Sequence, residues 1–270
     1  LLNVDLLILG FFLSFSTIGY YVIAQKFSSW IDIGVRSLNN QLFVIYSDYI
    51  EKGFINDVNR LSSKAEKYIS FTVLPLVMIV FIFSKEILTY TVGPEYLEAS
   101  LILILLSIKT YFDALRFPHL LQLTAGLHMG LLGITNIAIL ILNIILNLAL
   151  IPSTFLGIKV MGLGIEGAAV ASLVSTLIYG LILRYLTFKK NKTVSHMGLV
   201  FHYISAIFAV TIVVYLKTVI FFAWYMIVPY SISCLFIFYF LLYIIKEMTI
   251  SDIKFFKESL SFNRIRFYIH

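Results

Sequence analysis

The sequence predicts an all-α integral membrane protein, a bundle of transmembrane helices, and three observations carry that prediction. Of its 270 residues, 60% are hydrophobic and 13% are charged, against about 45 to 50% and about 25% in a soluble domain. The mean hydropathy is +0.97. The apolar residues fall in runs of about 18 or more, each long enough to cross a hydrocarbon layer of roughly 30 Å as a helix. A β-barrel would instead need segments of about 9 to 11 residues with alternating polarity, a pattern the chain does not carry. These features exclude a soluble enzyme, a secreted disulfide scaffold and a disordered regulator. Cys234, the single cysteine, sits in an apolar run, which leaves no disulfide framework and no cysteine-based metal site.

The elements follow in order. Residues 1–45 are apolar nearly throughout and as one helix would run about 67 Å, twice what a bilayer accommodates. A break is expected over 14–19, where Gly19 and the hydroxyls of Ser14, Ser16 and Thr17 suit a turn at the interface. The segment before it is then about 21 Å long, too short to span. No charged leader with a small-residue cleavage site precedes it, and the chain is expected to begin inside a longer protein. Membrane helices follow near 18–46, 68–91, 97–123, 129–151, 164–187, 200–220 and 223–245, seven spans plus the first fragment.

Lys and Arg in the connections orient these spans, because cytoplasmic loops retain them. Residues 47–67 hold four, 184–196 hold four and the tail from 246 holds five, all on one side; the opposite connections hold Lys85, Lys159 and Lys217. Thirteen against three places the 47–67 loop and the C-terminus in the cytoplasm. Two of these stretches look amphipathic: Phe54, Val58, Leu61 and Ala65 share a face, as do Ile253, Phe256 and Leu260. They are expected to lie in the headgroup plane. The net charge of +6 is explained by these loops and anionic headgroups, so no nucleic-acid partner is expected.

Charges inside the spans are the candidate functional residues, since they are costly in hydrocarbon and usually face a bundle interior or a water-filled cavity. Tyr21, Gln25, Ser29, Asp32, Arg36 and Asn39 or Asn40 fall within an arc of about 100°, a polar stripe roughly 22 Å long on one helix. Lys26 points elsewhere and is expected to snorkel. Lys109, Asp113 and Arg116, at spacings of four and three, bring one carboxylate within reach of two cations. Asn136, Asn143 and Asn147 form a weaker third set, read as interhelical hydrogen bonding. For the charged stripes, structural ion pairing (Asp32 with Arg36, Asp113 with its neighbours) stands as the alternative to a substrate path. The small residues Gly164, Ala168, Ser172, Thr176 and Gly180, with Gly167, Ala171 and Ser175 beside them, are read as close helix packing.

Soluble catalytic machinery is missing: the chain has no GxxxxGK[ST] loop, no HxxxH pair and no GxSxG elbow. No enzyme activity, cofactor or metal is expected. A membrane glycosyltransferase would usually need acids in a sizeable external loop, and the connections here are short.

A set of signposts in the chain resembles a known family. Asp5 opens an apolar segment; Gly19-Tyr20-Tyr21 runs to Ala24; Val92-Gly93-Pro94-Glu95-Tyr96 is followed by Ala99; Asn147 runs to Pro152; and Gly164-Ile-Glu-Gly-Ala-Ala-Val-Ala-Ser172 follows. In this order and spacing they resemble the C-terminal part of a polysaccharide or O-antigen flippase, in the multidrug/oligosaccharidyl-lipid/polysaccharide exporter superfamily, over about residues 1–188. Family members often place a proline where this chain reads Phe43-Val-Ile-Tyr-Ser47, a departure that leaves the bend implied there without its proline.

The resemblance implies a MATE-like C-terminal lobe plus an extra C-terminal helix pair. Residues 1–188 would form the six-helix lobe with its first helix truncated, 189–250 two additional transmembrane helices, and 251–270 a cytoplasmic amphipathic tail. It implies a multi-pass protein of the plasma or inner membrane that flips a lipid-linked oligosaccharide, a polyprenyl-pyrophosphate glycan, for cell-surface polysaccharide biosynthesis. Membrane lipid and that glycan would be its partners, with a glycan polymerase or glycosyltransferases beside it. Arg36, Lys109, Arg116, Gln25 and Asn39 suit a path for the anionic headgroup. Asp5, Asp32 and Asp113 suit charge pairing or the coupling of a proton or sodium ion. Four embedded cations against three acids argue against the alternative within the fold, a drug or cation antiporter. A membrane scaffold of a glycan-assembly complex, which transports nothing, would have no need of the long polar stripe.

Overall fold

The computed structural model describes residues 4–220, 223–249 and 252, with side chains 33–41 also set aside. It is an all-α membrane bundle that divides into two compact units, residues 1–196 and 197–270. The first unit holds α1 (Val4–Phe12), α2 (Phe15–Trp30), α3 (Ile33–Glu51), α4 (Ile55–Thr91), α5 (Ser100–Ala125), α6 (Met129–Leu150) and α7 (Gly164–Asn191). A short hairpin, β1 (Thr154–Phe155) against antiparallel β2 (Ile158–Lys159), joins α6 to α7. The second unit contains α8 (Leu199–Val219) and α9 (Ile227–Ile244).

Among the described residues, five helical stretches are both long and apolar enough to cross a membrane: α4, α6, α7, α8 and the run from Trp224 through α9. The chain is therefore a multi-pass membrane protein. α5, at 26 residues, is long enough too, but it carries Lys109, Asp113 and Arg116. Its burial explains why it tolerates them, because α5 packs against α2, α3, α4, α6 and α7. α6 shows the usual arrangement of a membrane helix at a bundle edge. Leu132, Thr135, Ile139, Asn143 and Asn147 are buried along one face, while Ile134, Ile137, Ile141 and Ile145 stand exposed on the other. Apolar exposure of this kind suits contact with lipid or with another helix.

The break expected over 14–19 occurs at its first residue. Ser14 is the N-cap of α2, its hydroxyl accepting from the Thr17 amide at 3.4 Å, and Gly19 lies inside the helix. The segment read as one helix over 18–46 is instead two. α2 ends at Trp30 and α3 begins at Ile33, with Ile31 and Asp32 both in αR backbone between them. α3 runs unbroken through 43–47, where the family resemblance implied a bend. The stretch over 54–65 does not form a separate helix. It is the first third of α4, a 37-residue helix whose Val58, Ser62, Ala65 and Glu66 are buried, so it packs into the bundle. The corresponding reading of Ile253, Phe256 and Leu260, and the 251–270 tail, lies outside the described residues.

Two glycines have positions only glycine suits. Gly93 takes φ +131°, a conformation side chains with a Cβ rarely adopt, and turns the chain from α4 into the short helix Pro94–Ala99. A Cβ on Gly167 would lie 2.7 Å from the Leu150 carbonyl oxygen, so the end of α6 and the start of α7 approach as closely as backbones can. Ala168 and Ala171, fully buried, and Ser172, at 8% exposure, extend that close approach along α7. In the second unit, α8 and α9 pair, and Ala206, Ala209, Val213, Cys234, Phe238 and Leu242 are buried.

Candidate functional site

Inside the first unit lies a cavity of about 320 Å³. Its wall is built by α1, α2, α5, α6 and α7, and each contributes a polar side chain: Asp5, Gln25, Lys109, Asn143 and Thr176 among them. Of the eight residues singled out from the sequence, Asp5, Gln25, Asp32, Lys109, Asp113 and Arg116 line this one space. Arg36 and Asn39 fall in the 33–41 stretch, whose side chains lie outside the described residues. Lys26 is exposed and does not line the cavity.

On α5, successive turns place Lys109, Asp113 and Arg116 together. Lys109 Nζ lies 2.5 Å from Asp113 Oδ2, and Arg116 Nε donates to Asp113 Oδ1 at 2.8 Å. The Arg116 guanidinium also lies over the Tyr179 ring, 4.7 Å from its centroid, a cation–π contact of about 0.5 to 2 kcal/mol. Tyr179 is itself fixed, its hydroxyl donating to Asn136 Oδ1 at 2.6 Å. One carboxylate between two cations leaves this corner with a formal charge of +1.

The other corner is centred on Asp5. Its Oδ1 accepts from Asn147 Nδ2 at 2.8 Å, and its Oδ2 accepts from the Tyr21 hydroxyl at 3.1 Å and from the Ser172 hydroxyl. Asn147 Nδ2 also reaches the Asn143 carbonyl at 2.9 Å and Asn143 Oδ1 at 3.1 Å, while Asn143 Nδ2 donates to Ser175 Oγ at 3.4 Å. Four helices thus converge on one carboxylate. Asn147 Oδ1 is buried with no hydrogen-bond partner among the described residues. Asp32, 9% exposed, sits at the junction of α2 and α3 and faces the same cavity.

The asparagines read from the sequence as interhelical bonds make such bonds. Ser172, read as packing, also turns a hydroxyl onto Asp5. A small residue on a close-packed face satisfies both roles, so spacing alone did not reveal the second. A further buried charged group, Glu66 with His119 and Arg184, was not anticipated. Its signal was present in Val58, Ser62, Glu66 and Ile69, which recur at helical spacing and are all buried.

The charge census of the cavity differs from that of the sequence. Its described lining holds two cations, Lys109 and Arg116, against three carboxylates, Asp5, Asp32 and Asp113. The four cations counted over all spans also included Lys26, which is exposed, and Arg36, whose side chain lies outside the described residues.

Over 171 residues the chain is 27% identical to the "Probable low-salt glycan biosynthesis flippase Agl15" of Haloferax volcanii, a match covering 63% of this chain and 34% of that protein. The matched part is about a third of that relative's length. This distant homology supports the flippase assignment that the signposts implied. No family model and no solved structure matches the chain.

Proposed function

We propose that this chain is part of a flippase that carries a lipid-linked oligosaccharide from the cytoplasmic to the outer leaflet of the cell membrane for cell-surface polysaccharide biosynthesis. The observation that carries this reading is the polar cavity within an otherwise apolar bundle, with Lys109 and Arg116 fixed on its wall. A pyrophosphate headgroup needs cations in a low-dielectric cleft, where they act far more strongly than in water. Arg116 suits a bidentate phosphate contact and Lys109 a point charge. The polyprenyl tail would stay in lipid, against apolar faces such as that of α6. By the same reading, residues 1–188 are a MATE-like C-terminal lobe that works against a second lobe by alternating access, and 189–250 are an additional helix pair.

The carboxylates divide by environment. Asp113 pairs the two cations. Asp5, with the unpartnered Asn147 Oδ1 and the oxygens of Asn143 and Ser172 nearby, suits the binding of a coupling proton or sodium ion, a hard ion that takes oxygen ligands.

The surplus of carboxylates in the described lining favours a second reading, an antiporter for organic cations. One experiment separates them. Cells depleted of the full-length protein should accumulate lipid-linked glycan in the cytoplasmic leaflet, with no change in efflux of tetraphenylphosphonium. Altered tetraphenylphosphonium efflux with normal glycan export would establish the antiporter reading.

A further inference from the structure

Helices α4, α5 and α7 meet away from the cavity lining. Glu66 on α4 is completely buried and His119 on α5 is 1% exposed. Glu66 Oε1 accepts from Arg184 Nη2 at 2.7 Å, Arg184 Nε at 3.1 Å and His119 Nε2 at 3.0 Å. Glu66 Oε2 takes a different partner, the backbone N–H of His196 at 2.7 Å. His119 is steered into place by Thr187, whose Oγ1 lies 2.9 Å from His119 Nδ1. The Thr187 hydroxyl also reaches the carbonyls of Leu183 and Arg184, so it can serve the ring as donor or as acceptor. The Glu66 carboxylate can only accept, so Nε2 carries the proton that faces it, and Thr187 meets Nδ1 as donor or acceptor to match.

His196 belongs to the non-helical segment that follows α7. Connections of this kind usually run solvated over the surface, yet Thr193 within it is only 2% exposed. Asn59 Nδ2 donates to the Asn191 carbonyl at 2.9 Å, Thr193 Oγ1 donates to Asn59 Oδ1 at 2.5 Å, and Gln122 Nε2 donates to Thr193 Oγ1 at 2.8 Å. Thr193 thereby ties the segment to α4 and α5.

We propose that Glu66 is a charge latch. One oxygen gathers Arg184 and His119, the other clasps the His196 amide, and together they fasten residues 192–196 as a strap across the ends of α4, α5 and α7. Replacing that carboxylate by a neutral amide releases the strap. The latch depends on the number of acceptors. A carboxylate offers an acceptor to each side at once. The isosteric amide offers one oxygen and one NH₂, so a donor must face either Arg184 and His119 or the His196 N–H. No rotamer of glutamine serves both. Two of the latch's three helices also wall the cavity, since Arg116 precedes His119 on α5 and Tyr179 precedes Arg184 on α7. Fastening these ends holds the two helices in register there. This proposal does not depend on what the cavity transports.

Hydrogen–deuterium exchange of the whole chain in lipid nanodiscs, read by mass spectrometry, tests it. In Glu66→Gln, exchange over 192–196 should rise by about tenfold or more, while 172–180 stays within about twofold of the native chain. A folded Glu66→Gln protein whose strap exchanges at the native rate overturns the latch. Thr193→Val provides an arm that does not depend on that variant folding, because it cuts the ties to Asn59 and Gln122 and leaves the charged cluster whole. The latch predicts that the strap there stays protected to within about threefold. A rise of about tenfold in Thr193→Val would show that Thr193 holds the strap, contradicting the latch.

Discussion

Arg116 is held from two directions, by Asp113 through a 2.8 Å bond and by the face of Tyr179. Its position therefore costs little to maintain when an anion arrives. In the full-length protein, Arg116→Ala is expected to lower glycan export by about tenfold or more, a loss of roughly 1.4 kcal/mol, at near-normal membrane abundance. Arg116→Lys should recover only part, because the planar fork and its stacking are lost. Asp113→Asn should behave differently, stranding two cations and lowering abundance itself. Export normalised to immunoblot signal distinguishes these outcomes. At Asp5, removal to Ala takes the acceptor from the Tyr21 and Ser172 hydroxyls and leaves Asn147 Nδ2 bonded to Asn143 alone. A cost of about 1 to 3 kcal/mol should appear as a lower melting temperature in detergent. The Lys109, Asp113 and Arg116 triad was legible from spacing because it lies on a single helix. The Asp5 cage was not, because its partners come from α2, α6 and α7 and meet only in the fold.

Among the elements, the early part of α7 packs closely against the end of α6. Gly167→Val would force a side chain into the Leu150 carbonyl, and overpacking of this kind costs about 1 to 3 kcal/mol. Lowered thermal stability of the purified chain is the expected result; a melting temperature equal to the native one would show that α6 and α7 can separate freely. Small-residue spacing made this packing readable in advance. The junction between α2 and α3 was not readable, because Ile31 and Asp32 keep αR backbone angles and the polar stripe continues in sequence almost as if the helix did. The first third of α4 misled for another reason. Alternating charges and apolar residues describe a headgroup-plane helix and a bundle helix equally well, and only the burial of Val58, Ser62 and Glu66 decides between them.

For the whole molecule, the distribution of Lys and Arg leads us to propose that residues 47–67, residues 184–196 and the C-terminus face the cytoplasm. The Asn59 to Asn191 bond brings the first two of these to one end of the bundle, as that topology requires. Lys190→Cys in a Cys234→Ser background should resist an impermeant thiol reagent in intact cells and react once the cells are opened. Rapid labelling of intact cells would invert the topology. We propose that the cavity conducts an anionic, lipid-linked headgroup, and the claim is checked by the rate at which proteoliposomes of the full-length protein flip a fluorescent polyprenyl-pyrophosphate oligosaccharide. Arg116→Ala and Lys109→Ala are predicted to slow flipping by about tenfold or more, while Lys26→Ala, which removes an exposed cation outside the cavity, leaves the rate unchanged. Native rates in both cavity variants would contradict the claim.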